Sequence, residues 1–304
     1  MKSLFDMIFA PGFLTNEPVL TAILVGGGAA VVSAVVGVFT VMRGQSFAGH
    51  ALADVSSAGG SASFLLGINP LLGFLGMAVI AAGGMELAGV RHARERDLVT
   101  GIILGAGLGL AALFLYFDVT SMSTTGAAIT VMFGSMFAIP ASIIPLALAV
   151  GGGALVAIAV VYRPLLISSL APDLAEVQGI RVRLVGLVHV LALSLAVSLS
   201  AMTIGAILST ALLIGPAATS LCLVKRPGRA IFVAVVIGLA ATWGGILLAY
   251  DSFYWTPGHG WPASFFVVTL IFMFYIAAVL SGRRRDRRQT ASPVEFLPCG
   301  CGEM

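Results

Sequence analysis

The chain has 304 residues, of which 59% are hydrophobic and 10% charged, with a mean hydropathy of +1.07 and a formal net charge of +3. A soluble domain carries about a quarter charged residues, so this composition excludes one and points to a membrane protein. Uninterrupted apolar runs also exclude a β-barrel, whose strands alternate in segments of about ten residues, and leave an all-α, polytopic helical bundle as the expected fold.

Crossing a hydrocarbon core of ~30 Å takes about 20 helical residues. Runs of that kind fall at 19–42, 52–68, 70–90, 98–117, 140–162, 184–201, 204–224, 230–250 and 262–281. Nine spans with the N-terminus outside put Arg43, Arg91, Arg94, Arg96, Arg163, Arg181, Arg183, Lys225, Arg226, Arg229 and the basic run 283–288 on one face. The positive-inside rule makes that face, and the C-terminus, cytoplasmic. Only Lys2 falls opposite; eight- and ten-span counts are the alternatives. The basic balance thus faces anionic lipid, with no role for nucleic acid. Residues 1–282 read as one integral domain and 283–304 as a basic cytoplasmic tail without a fold of its own.

At the N-terminus, no cationic start precedes a small-residue cleavage site, so no removable signal peptide is expected. After the first cytoplasmic turn comes "FAGHALADVSSAGG", residues 47–60, with His50 and Asp54 four apart. That spacing stacks two side chains on one helix face, about 5–6 Å apart at Cβ. An ionisable group inside a span costs at least about 2.5 kcal/mol at the centre on insertion scales and is a functional candidate by default. An imidazole and a carboxylate suit Zn²⁺, Mn²⁺ or Fe²⁺, while an Asp–His hydrogen bond would equally satisfy both groups inside a bundle. The small, hydroxyl-rich run that follows lets neighbouring helices close in and can line a wet passage. Two ligands are too few for a tight zinc site; a C₂ dimer would double the set.

Glu86, near a cytoplasmic helix end, is expected to snorkel or to pair with Arg91. Gly101, Gly105 and Gly109 repeat every fourth residue, a pattern that permits close helix approach. Residues 126–162 are too long for one span, and the charge pattern forbids two, so 126–139 reads as a short re-entrant or interfacial helix broken at Pro140. In the inner loop 162–183, "PDLAEVQGI" reads as a short helix that starts at Pro172 and Asp173, carries Glu176, and stops at Gly179. It is either a grip for a cytoplasmic partner or a plain amphipathic connector. His189 stands alone on an apolar helix, where a hydrogen bond to a serine or carbonyl is the simpler role. Asp251 and His259 in the aromatic outer loop 251–262 offer weak metal contacts and, with Glu86 and His189, complete the secondary candidates for the ion's path, while His92 lies among charges. Cys222 ends a helix, and Cys299 and Cys301 form a Cys-Gly-Cys within reach of one soft metal; no disulfide framework follows from three cysteines. The sequence contains no phosphate-binding G-x-x-x-x-G-K-[ST] motif, so any ATP chemistry belongs to another chain.

These motifs, "SFAGHALADVSSAGG", "VMFGSMFAI", "DLAEVQGIRV" and "VSLSAMTIGAILSTALLIGPAATSLCLV" with Leu213, Pro216, Ala217 and Ala218, together resemble the permease family of ATP-binding-cassette importers for zinc, manganese and iron. In that family an aspartate precedes a histidine by four residues; here His50 holds the aspartate position and Asp54 the histidine position, which keeps the helix face and the ligand types. The resemblance implies a type II importer permease in a bacterial cytoplasmic (inner) membrane, without an ATPase site of its own. It also implies a homodimer, gripped by two cytoplasmic ATP-binding subunits at residues 172–180 and fed by an extracytoplasmic solute-binding protein. His50 and Asp54 would line the ion's path, with Zn²⁺ or Mn²⁺ as the transported substrate and no permanently bound cofactor. Zinc comes first under the divalent affinity order, then manganese, then iron. A permease for metal chelates such as siderophores or cobalamin, or a proton-coupled secondary carrier using Asp54, are the alternative functions.

Overall fold

The computed structural model describes residues 13, 15–87, 93–121, 125–134, 136–255 and 260–290. Among them the chain forms twelve α-helices and no strand. The helices are α1 (Glu17–Met42), α2 (Ser46–Leu66), α3 (Pro70–Leu87), α4 (Ala93–Ser121), α5 (Thr125–Phe133), α6 (Ile144–Val160), α7 (Tyr162–Leu170), α8 (Pro172–Val177), α9 (Val182–Ile204), α10 (Ala206–Leu223), α11 (Pro227–Trp255) and α12 (Ala263–Thr290). Eight segments among the described residues are long and apolar enough to cross a membrane. The exception among the long helices is α2, whose 21 residues include five serines, His50 and Asp54.

The ends of the helices nevertheless show that α2 traverses the bundle. Arg43, just past α1, feels the charges of Glu86 near the end of α3 and Arg96 near the start of α4, while Glu86 pairs with Arg183 at the start of α9. All four charges therefore gather at one end, so α2 and α3 must leave that end and return to it. α2 begins at Ser46, six residues ahead of the apolar run expected from 52, which places His50 and Asp54 inside its first three turns. α12 continues to Thr290, so part of the expected structureless tail is helical. Cys299 and Cys301 lie outside the described residues.

α1 and α9 form the centre of the bundle, both largely buried and joined by a Ser33–Ser200 hydroxyl hydrogen bond of 2.6 Å. Close approach elsewhere depends on glycine. A Cβ on Gly59 of α2 would run into the Gly73 carbonyl of α3, and one on Gly73 into the Gly59 carbonyl. The regularly spaced Gly101, Gly105 and Gly109 do not act this way: a Cβ at each would meet nothing within 4 Å, and on α4 it is Gly107 that packs against Val55. The spacing rule identified the right helix and the wrong face.

The re-entrant element is shorter than expected. α5 stops at Phe133, where Gly134 turns with φ +75°, and single turns at Met136–Ala138 and Ala141–Ile143 lead into α6. Its seat is the α9–α10 turn at Gly205, φ +95°. The two glycines are backbone to backbone: a Cβ on Gly134 would strike Thr203 and Ile204, and one on Gly205 would strike Met132 and Phe133. The re-entrant segment thus covers the α9–α10 turn.

Replacing Gly59 by alanine is expected to cost about 1–3 kcal/mol through overpacking and to lower the thermal unfolding midpoint of the purified protein in detergent. Gly101→Ala, which meets open space, should leave that midpoint unchanged; equal shifts in the two variants would contradict the packing described.

Candidate functional site

His50 and Asp54 occupy successive turns of α2, with His50 Nε2 3.4 Å from Asp54 Oδ2. The opposite ring nitrogen, Nδ1, is 3.1 Å from Thr210 Oγ1 on α10. Depth follows from the packing around them: Leu213 of α10 lies against both Gly37 of α1 and Gly49 of α2. Gly37 is five residues from the inner end of α1, about 8 Å at 1.5 Å per residue, so the pair sits in the cytoplasmic half of the bundle. The His50 side chain is 44% exposed and that of Asp54 15%. The pair is therefore a half-open clasp on the surface of the protomer, and not a core hydrogen bond sealed from both sides.

Most of the serines on α2 have a different role. Ser56, Ser61 and Ser63 are buried and donate to the carbonyls of Ala53, Ser57 and Gly60, and Ser57 donates to the Asp54 carbonyl. Such back-bonding satisfies a hydroxyl within its own helix. It lets α3 and α4 close on α2, and these serines line no wet passage inside the protomer.

The other residues singled out in the sequence are dispersed. Glu86 pairs with Arg183 at 3.5 Å; Arg91 lies outside the described residues. His189 is fully buried, with Nε2 3.4 Å from Thr40 Oγ1. Thr40 donates its own proton to the Val36 carbonyl, so it accepts from His189, and the partner is a threonine where a serine or carbonyl was expected. Asp251 is buried at the outer end of α11, and His259 lies outside the described residues. Among the described residues no three of His, Cys, Asp and Glu converge as a metal cluster, so His50 and Asp54 stand as a pair. Two residues have no counterpart in the sequence analysis: Asp118, buried at the outer end of α4, lies one residue past the expected run 98–117, and Thr210 carries no signal in an apolar helix.

At the cytoplasmic end, α8 has the expected form. Pro172 opens it, and Gly179 at φ +75° closes it as the Gly179 and Ile180 amides bond back to the Glu176 and Ala175 carbonyls. Pro172, Asp173, Glu176 and Gly179 are exposed together with Leu174 and Val177, while Ala175 is buried. An exposed Leu and Val on a six-residue helix make an apolar spot rimmed by acids. Close by, Arg43 donates to Ser168 Oγ of α7 at 3.0 Å. Burial, reinforced by Arg96 and opposed by Glu86, holds its guanidinium below the ordinary arginine value.

A helical membrane bundle with one polar helix, an ionisable pair on it and an exposed helix on the cytoplasmic face has the form of a transport protein of the permease class. The chain belongs to the ABC 3 transport family, whose model matches residues 15–281. It is 28% identical over 261 residues to the manganese transport system membrane protein MntC of Listeria innocua, covering 86% of this chain and 89% of that one. It is 26% identical over 245 residues to the high-affinity zinc uptake system membrane protein ZnuB of Haemophilus influenzae, covering 78% and 90%. Its fold matches the solved structure of PsaBC from Streptococcus pneumoniae in complex with Fab at a TM-score of 0.79, with 23% identity over 95% of this chain and 100% of that chain. This protein is thus a multi-pass permease of the bacterial cytoplasmic membrane, the transport component of an ATP-binding-cassette importer for metals.

Glu86 belongs to a partly exposed ion pair, a kind worth about 0–1 kcal/mol. Glu86→Gln should therefore change the unfolding midpoint little and leave metal uptake by the assembled importer at the wild-type level; loss of metal binding in this variant would move Glu86 into the ion path.

Proposed function

We propose that the permease passes a bare divalent transition-metal ion inward along α2, and that His50 Nε2 and Asp54 Oδ2 are the groups that hold it in transit. The observation that carries this reading is the clasp itself: a nitrogen and an oxygen donor, 3.4 Å apart on one helix face, half open in a membrane-spanning bundle where ionisable groups are costly. A separation of that size lets both donors turn toward one cation at about 2.0–2.2 Å each, the range for imidazole and carboxylate ligands on zinc. A purely structural pair would gain by being sealed, and this one is not.

Manganese is the proposed cargo, ahead of zinc. The affinity order that favours zinc does so at any mixed nitrogen and oxygen site and for that reason does not select the cargo. Relatives named for manganese share 26–29% identity over 81–92% of this chain, and a relative named for zinc 26% over 78%. Two ligands bind weakly, and a transported ion must be able to leave. A second copy of the permease, presenting the same exposed His50, would complete the coordination in the occluded state. ATP-binding subunits would dock on α8, where Leu174 and Val177 are exposed, and an extracytoplasmic binding protein would deliver the ion from the side of the re-entrant cap.

In cells lacking other manganese and zinc importers, His50→Ala and Asp54→Ala should each reduce manganese-dependent growth and ⁵⁴Mn uptake at least tenfold, with normal amounts of protein in the membrane. Wild-type uptake of both metals in both variants would remove the clasp from the path. Uptake lost for zinc alone would reverse the cargo assignment.

A further inference from the structure

The clasp is held from a second helix. Thr210 is the fifth residue of α10, and its hydroxyl meets His50 Nδ1 at 3.1 Å, while Nε2 faces Asp54 on α2. Both ring nitrogens are therefore fixed, one by each helix. We propose that Thr210 is the positioning residue of the ion clasp, and that it makes the clasp's affinity depend on where α10 stands relative to α2. The inference rests on the reading of His50 and Asp54 as the ion's ligands.

An imidazole ligates through a ring lone pair. With Nε2 turned to the cation beside Asp54 Oδ2, the ring proton resides on Nδ1, and Thr210 Oγ1 accepts it. The hydroxyl thereby accommodates the tautomer and fixes the ring plane that ligation needs, as partners of metal-bound histidines do generally. No ligand comes from α10 itself, so its contribution is orientation alone.

α10 is also the helix best placed to break this contact. It starts at Gly205 with φ +95°, a conformation that glycine adopts without the penalty of a side chain. It also contains Pro216, which removes an internal hydrogen bond. Beside Thr210, between α10 and α12, lies a cavity of about 410 Å³ lined by Ile214, Gly215, Ile271, Phe272 and Tyr275. Ile271 is the side chain of α12 packed against α10 here, at Gly215, so a shift of α10 toward this groove has that one contact to move. When α10 moves, the His50 ring loses its anchor and the clasp weakens. An ion bound in one arrangement is then released in the other, and reciprocally the bound ion favours the arrangement in which Thr210 touches His50.

The test uses the full permease with its ATP-binding subunits in lipid nanodiscs and Mn²⁺ or Zn²⁺ alone as the probe. Thr210→Val removes the hydroxyl at nearly constant volume and should weaken metal binding by about 10- to 100-fold. It should also raise the apparent KM for uptake more than it lowers kcat. Thr210→Ser, which keeps the hydroxyl, should restore both. Thr210→Ala gives the same comparison if the valine variant does not assemble. Wild-type affinity in Thr210→Val and Thr210→Ala, with binding lost in His50→Ala, would overturn the role of Thr210 and leave the clasp standing; unchanged binding in His50→Ala would overturn both.

Discussion

A helix that carries five serines, a histidine and an aspartate cannot lie against lipid, because in hydrocarbon each unsatisfied polar group costs several kcal/mol. α2 meets that constraint in two ways. Four of its five serines turn back onto carbonyls of their own helix, and its glycines bring α3 and neighbouring helices close enough to wrap it. What remains ionisable on it is a single pair, His50 and Asp54, and the surrounding bundle leaves that pair half open. The separation of satisfied hydroxyls from one accessible donor pair converts a liability of composition into a candidate path.

Two further structures organise around that helix. On the outer side the re-entrant segment rests by backbone contact on the α9–α10 turn, where Gly134 and Gly205 leave no space for a Cβ. On the inner side Arg43 connects the α1–α2 turn to α7 through Ser168, one short helix away from the exposed surface of α8. The clasp lies between these two, and α10 passes from the capped turn at Gly205 to Thr210 beside the histidine. A rearrangement started at the cytoplasmic helices thus has a contiguous physical route to the residues proposed to hold the ion.

Much of this architecture was legible in the sequence, because the hydrocarbon core imposes length and apolarity and anionic lipid imposes the basic side. The helix over Pro172–Val177 was legible for a different reason, since proline at its start and glycine at its end are local backbone requirements. The clasp was legible as a pair because four-residue spacing fixes a common face. Thr210 was not, since its importance comes from a contact 160 residues distant in the chain that no local pattern encodes. The glycine repeat on α4 misled for a related reason. Spacing shows that a face is small, whereas only the fold shows whether another helix meets it, and here Gly107 does so while Gly101, Gly105 and Gly109 do not. The start of α2 was placed late because hydropathy is blind to a helix turn made of Ser, Gly and His, and the cargo could not be drawn from ligand types that several metals share.

The central claim is that the ion in transit is bound by the His50 nitrogen beside Asp54. Pulsed electron paramagnetic resonance of Mn²⁺ bound to the permease with its ATP-binding subunits tests it directly, because a ligating imidazole nitrogen modulates the echo. The account predicts a nitrogen modulation that disappears in His50→Ala and persists in His189→Ala. A signal that survives His50→Ala, or one that depends on His189, would contradict it.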